Sequence, residues 1–158
     1  MGHNITAIIL KGKFDSEQVS HFDLVPVPLT AELTLFHIDT AYVEYWQSQL
    51  GMEGELPDIV DPDFMIPREI VLAEIMKFIT GTLAPQYAII RTDYFGGTGS
   101  QYANVFIGSQ NVDPGMRKIN QALRYLGVVA APGMDEFDTV GLSDIRRMPS
   151  YLEKYWDM

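Results

Sequence analysis

Residues 86–108 read QYAIIRTDYFGGTGSQYANVFIG, two strand-like runs around a glycine turn. Isoleucine, valine, tyrosine and phenylalanine dominate both runs, and such residues suit a pleated, half-buried surface. The glycines first invite comparison with a phosphate loop. That comparison fails, because a phosphate loop needs Lys followed by Ser or Thr after its last glycine, and then a helix. Here Ser100 and Gln101 follow Gly99, and residues 102–107 read as a strand. A hairpin turn that uses glycine for positive φ accounts for the same residues.

Taking Gly96 to Gly99 as a four-residue loop pairs Phe95 with Ser100 and sets the register outward. Ala88, Ile90 and Thr92 then lie opposite Ile107, Val105 and Ala103, an apolar face that should meet the core. Ile89, Arg91 and Asp93 lie opposite Phe106, Asn104 and Tyr102 on the other face. Arg91, Asp93, Tyr102 and Asn104 therefore gather near the turn. Two readings of this cluster stand. It is a site for a small anion or polar ligand, or it is a solvent-facing cross-strand ladder of the kind antiparallel sheets carry on their outer face.

Around the hairpin, residues 5–10 (ITAIIL) scarcely alternate and read as a strand buried on both faces. Asp15 is placed to cap a short helix through His21. Pro26 and Pro28 limit VPVPL to an extended or edge segment, since each lacks a backbone donor. Residues 33–38 (LTLFHI) form a further strand. Asp39 then caps a helix over 40–50, with Tyr42, Val43, Trp46 and Leu50 on its apolar stripe and Gly51 as its stop. Residues 52–66 read as a long loop, and Pro67 opens a helix over 67–80 that is apolar over a wide arc. A third helix is expected over 115–126, opened by Pro114-Gly115 and stopped by Gly127. A short strand over 128–131 and a terminal helix capped by Ser150 and Glu153 complete the reading. Strands come in clusters, not in alternation with helices. The expected fold is therefore one α+β domain over 1–158, with a mostly antiparallel sheet of four to six strands against three or four helices.

Charge is the clearest global property: 21 acidic against 11 basic residues give a net charge of -10. Such a chain is repelled by phosphate backbones and anionic lipid surfaces, so neither nucleic acid nor a membrane is an expected partner. Arg117, Lys118 and Arg124 make a single modest basic surface. The chain has no cysteine, which fits a cytoplasmic setting and excludes thiolate chemistry and disulfides. No run approaches membrane-spanning length, and the first residues lack the build of a signal peptide.

Two H-x-D triplets, His21-Phe22-Asp23 and His37-Ile38-Asp39, would each offer imidazole and carboxylate on one side of a strand, so paired triplets could make a metal site. Against this, Asp39 is already accounted for as a cap, His37 as a strand-end histidine, and the spacing matches no standard metal template, so no metal is expected. Glu53, Glu55, Asp58, Asp61 and Asp63 crowd the 52–66 loop without the order of a calcium loop. They read as a solvated loop or as an acidic contact surface. No catalytic triad, nucleophile motif or cofactor fingerprint is present, and no cofactor is expected. The leading expectation is a non-enzymatic regulatory protein, an acidic antagonist of a basic protein partner in the manner of an immunity protein. The alternative is a small-molecule-binding protein or enzyme that uses the polar hairpin face. The aromatic terminal segment either docks on the domain or supports a homodimer.

Overall fold

The long strands β5 (Gln86–Phe95) and β6 (Thr98–Ile107) form the hairpin that organises the sheet. In the computed structural model, which describes residues 2–52, 69–96 and 98–157 (backbone alone for 69 and 70), their pairing runs from Gln86↔Ile107 to Phe95↔Thr98. Only residues 96 and 97 stand between the strands, so the loop has two residues and not the four expected. The register is displaced by two positions. Arg91 faces Tyr102, Ile89 faces Asn104 and Asp93 faces Ser100. A shift of two leaves every side chain on its original face, so the apolar pattern fits both registers equally and only turn geometry separates them. Gly96 adopts a left-handed φ of 60°, and Gly99 lies inside β6 where an added Cβ would come within 1.9 Å of the Asp93 carbonyl oxygen.

The remaining strands add around this pair: β1 (Gly2–His3), β2 (Thr6–Lys11), β3 (Val27–Pro28), β4 (Leu33–His37) and β7 (Gln110–Asn111). The order is β3-β4-β2-β5-β6-β7, with β1 continuing beyond β2 along β5, and every pairing is antiparallel. The seven strands among the described residues exceed the four to six expected, because β1, β3 and β7 are two-residue pieces with little sequence signal. Ala7, Ile8, Ile9 and Leu10 of β2 are all fully buried, as a strand covered on both faces requires.

Both faces of the sheet are covered. On one lie α1 (Ser16–His21), α2 (Thr40–Gln49), α3 (Glu69–Thr80) and the terminal 3-10 segment Ser150–Tyr155. Ile8, Leu10, Phe36, Tyr87, Ile89 and Phe106 meet Tyr42, Leu72, Ile75 and Ile79 there, and the Tyr87 and Phe106 rings stack 5.6 Å apart. On the other lie α4 (Ile119–Tyr125) and the single-turn α5 (Glu136–Thr139), which cover Ile9, Leu35, Ala88, Ile90 and Val105. The hairpin face expected to be open is therefore closed by α1–α3 over most of its length.

Local chemistry sets the helix ends. Asp15 and Asp39 cap α1 and α2 through bonds to the Glu17 and Tyr42 amides, each at 2.8 Å. The third expected helix starts four residues late, at Ile119. Asp113 holds the Gly115 amide in a turn, Gln121 Oε1 accepts from the Lys118 amide, and Gln101 Oε1 accepts from the Ile119 amide at 2.7 Å. No strand forms over 128–131, where the Ala131 amide donates to the Thr139 hydroxyl. The terminal helix is a 3-10 segment preceded by Pro149, without a side-chain cap. The expected loop over 52–66 and the start of the helix expected from Pro67 lie outside the described residues beyond Met52.

Candidate functional site

The hairpin register divides the four candidate ligand-binding residues. Arg91 is half-buried and Asp93 exposed, while Tyr102 is buried and Asn104 has 0% exposure. The Asn104 amide is saturated. Its nitrogen donates to the carbonyls of Ala103 (2.6 Å) and Met116 (2.7 Å), and its oxygen accepts from the Asn111 amide (2.6 Å) and the Tyr102 hydroxyl (3.2 Å). Asn104 thus ties β6 to β7 and to the loop before α4, and its bonding capacity is spent inside the protein.

The H-x-D residues are dispersed among structural tasks. Asp39 caps α2 and its second oxygen accepts from the Trp156 indole at 3.0 Å. Asp23, held at a φ of 57°, accepts from the Tyr155 hydroxyl at 2.6 Å and pairs with Lys154. His37 ends β4, and burial pushes its pKa down from 6.5 to about 4. His21 is exposed, with its ring against Phe22 and Trp46. Among the described residues, no three His, Asp or Glu side chains converge as metal ligands. Glu53, Glu55, Asp58, Asp61 and Asp63 lie outside the described residues.

One surface combines aromatic rings with carboxylates. The terminal segment docks on α2, with the Tyr151 hydroxyl donating to the His37 carbonyl at 2.8 Å and the Tyr155 ring 5.1 Å from Tyr45. Trp156 stays 64% exposed and stands between two grooves. One, of about 460 Å³, is bordered by Glu44, Tyr45 and Tyr155; the other, of about 410 Å³, by Asp39, Met148 and Leu152. The hydroxyl pKa of Tyr155 is raised, first by burial and then by Asp23; that of Tyr151 is raised by burial and by the charges of Asp23 and Asp39. Asp39 and the Lys154-paired Asp23 are thus the carboxylates that act on these hydroxyls.

A second concavity, of about 320 Å³, opens at the hairpin tip on the opposite face of the sheet. Thr92 and His3 form its base. His3 Nε2 donates to the Leu142 carbonyl at 2.8 Å, which leaves Nδ1 to accept from the Thr92 hydroxyl at 2.7 Å. Thr92 Oγ1 in turn accepts from the Ile5 amide. Gln101 bridges two walls: its oxygen takes the Ile119 amide and its nitrogen donates to the Tyr94 hydroxyl at 2.9 Å. Asn120 joins α4 to α5, accepting from the Phe137 amide and donating to Asp135 Oδ2 at 3.1 Å. Asp135 caps α5 through the Asp138 amide, and that bond, with the one from Asn120, holds its pKa below the usual carboxylate value. Ser143 and Arg146 close the rim.

Neither surface stands out in the sequence, because each is assembled from distant segments. One signal was there to be used. Residues 113–147, which form the α4–α5 layer, contain five basic and five acidic residues, so the whole charge of -10 belongs to the remainder, with six basic against sixteen acidic. No described helix is long and apolar enough to cross a membrane. No family model matches the chain, and neither the curated proteins nor the solved structures contain a significant match.

Proposed function

We propose that the protein is a non-enzymatic binding protein, an acidic antagonist or regulator that holds a basic protein partner on the face around Trp156. The observation that carries this reading is a tryptophan left 64% exposed between two grooves whose borders include Asp39 and Glu44. Tryptophan and tyrosine supply large contact area with few torsions to freeze, which is why they anchor interfaces. Here Trp156 is already oriented by its bond to Asp39, and Tyr155 by its bond to Asp23, so little side-chain freedom remains to be lost on docking. The carboxylates add attraction for Lys and Arg on a partner and raise its encounter rate. Glu53, Glu55, Asp58, Asp61 and Asp63, in the segment that follows α2 in sequence, belong to the same charge excess.

The test is affinity capture from the native source at low ionic strength, in parallel with wild type, Trp156→Ala and Arg146→Gln. The expected result is a stoichiometric basic protein whose affinity falls steeply with salt, drops at least about tenfold in Trp156→Ala and is unchanged in Arg146→Gln. Capture that survives Trp156→Ala, or that is indifferent to salt, overturns the proposal.

A further inference from the structure

The cleft at the hairpin tip has most of its polar groups already committed and two charges left over. Both nitrogens of His3, both ends of Gln101 and both ends of Asn120 are engaged in bonds within the protein. These bonds fix the walls before any ligand arrives, so a ligand would not have to order them. The Arg146 backbone carbonyl accepts from the Asn4 amide at 2.9 Å, but its guanidinium makes no hydrogen bond or ion pair with any described residue. Asp135 accepts one bond at each oxygen, which leaves each with a spare lone pair. The two residues line the same cleft, yet no ion pair within 4.0 Å joins them. A guanidinium and a carboxylate held apart in one concavity form a complementary pair for a ligand that bears both charges.

We infer that this cleft binds a small zwitterion of the α-amino-acid type, its carboxylate on Arg146, its ammonium on Asp135 and an apolar or aromatic side chain against Phe137 and Ile119. The planar fork of arginine matches a carboxylate in two parallel bonds. A phosphate dianion is disfavoured by the Asp135 carboxylate on the facing wall. A divalent cation is disfavoured by Arg146 and by the single carboxylate. The volume of about 320 Å³ lies at the lower end of the range for small-molecule sites, enough for one amino acid and too little for a nucleotide-sized ligand. The Tyr94 hydroxyl, which accepts from Gln101, still has its proton to give to the carboxylate. This site is separate from the Trp156 face and does not depend on the function proposed there.

The test is calorimetric titration of the full chain with L-phenylalanine and L-leucine, then with 3-phenylpropanoate and 2-phenylethylamine, which lack the ammonium and the carboxylate respectively. Saturable binding of at least one amino acid is expected, with either half-molecule at least about tenfold weaker. Arg146→Gln and Asp135→Asn should each weaken binding about tenfold. Asp135→Asn keeps the α5 cap on its one oxygen but gives up the bond from Asn120, so Arg146→Gln, whose side chain has no bond to lose, reports the loss of charge with an unchanged melting temperature. Absence of saturable binding by either amino acid at millimolar concentration overturns the inference. So does equal binding of 3-phenylpropanoate, or affinity unaffected by both substitutions.

Discussion

His37 makes the stability of this protein depend on pH in a defined window. The side chain is buried at the end of β4, and its Nε2 has no hydrogen-bond partner among the described residues. Burial therefore favours the neutral ring and lowers the pKa from 6.5 to about 4. Above pH 6.5 neither the folded nor the unfolded chain is protonated at this position, and pH has no effect through it. Between pH 6.5 and about 4 the unfolded chain takes up a proton that the folded one refuses, so stability falls as the pH falls. At about 1.4 kcal/mol per pH unit, the interval amounts to about 3 kcal/mol. Below pH 4 both forms are protonated and this contribution levels off. Urea unfolding of wild type and His37→Phe at half-unit steps from pH 7.5 to pH 4 isolates it, because the other titrating groups cancel in the difference. The stability difference between the two proteins should shift by about 3 kcal/mol in favour of the variant over that range. Parallel pH profiles would refute the reasoning, whatever the absolute stability of the variant.

Two further substitutions probe the hairpin. Asn104→Ala removes four hydrogen bonds and leaves the Met116 carbonyl and the Asn111 amide without that partner in a buried region, so a loss of about 3 kcal/mol or more is expected in urea unfolding; a loss below about 1 kcal/mol would count against the network. Gly99→Ala sets a methyl group 1.9 Å from the Asp93 carbonyl oxygen and should cost more than about 3 kcal/mol or prevent folding, whereas Gly12→Ala, at a φ of 100° with nothing within 4 Å, should cost about 1 kcal/mol. Equal melting temperatures for the two glycine variants would contradict the register. Trp156→Ala should leave stability within about 1 kcal/mol of wild type by thermal unfolding, since much of the indole is solvated before substitution.

Periodicity made much of this architecture legible. The two apolar sides of β2, the stripe of α2 and the Asp15 and Asp39 caps are local patterns, and each was readable from a few neighbouring residues. The hairpin faces were legible for the same reason, whereas its register was not, because registers two apart present identical faces. The start of α4 was hidden for a different reason: the acceptor for its Ile119 amide is Gln101, eighteen residues earlier and on a strand. The cleft was hidden more deeply. Its base pairs His3 with Thr92 across 89 residues, and His3 reaches Leu142 across 139. No local pattern marks a residue for such a meeting. On the outward face of the hairpin, the sequence alone does not separate the half-buried Arg91 and exposed Asp93 from the buried Tyr102 and Asn104. A buried asparagine with four partners and an exposed one look alike in sequence.

The central place of β5 bears on how the chain reaches this state during synthesis. β2 joins β4 across a short separation, but its pairing with β5 links residues 75 to 85 positions apart, from Lys11↔Gln86 to Thr6↔Arg91. Until β5 emerges, β2 therefore has one side of its backbone unpaired, and part of its apolar surface lacks the sheet and helices that will cover it. The β5–β6 hairpin, by contrast, closes over two residues and can form at once. Folding is thus expected to wait on the second half of the chain, with the nascent Ile5–Leu10 region as its most aggregation-prone segment in the interval.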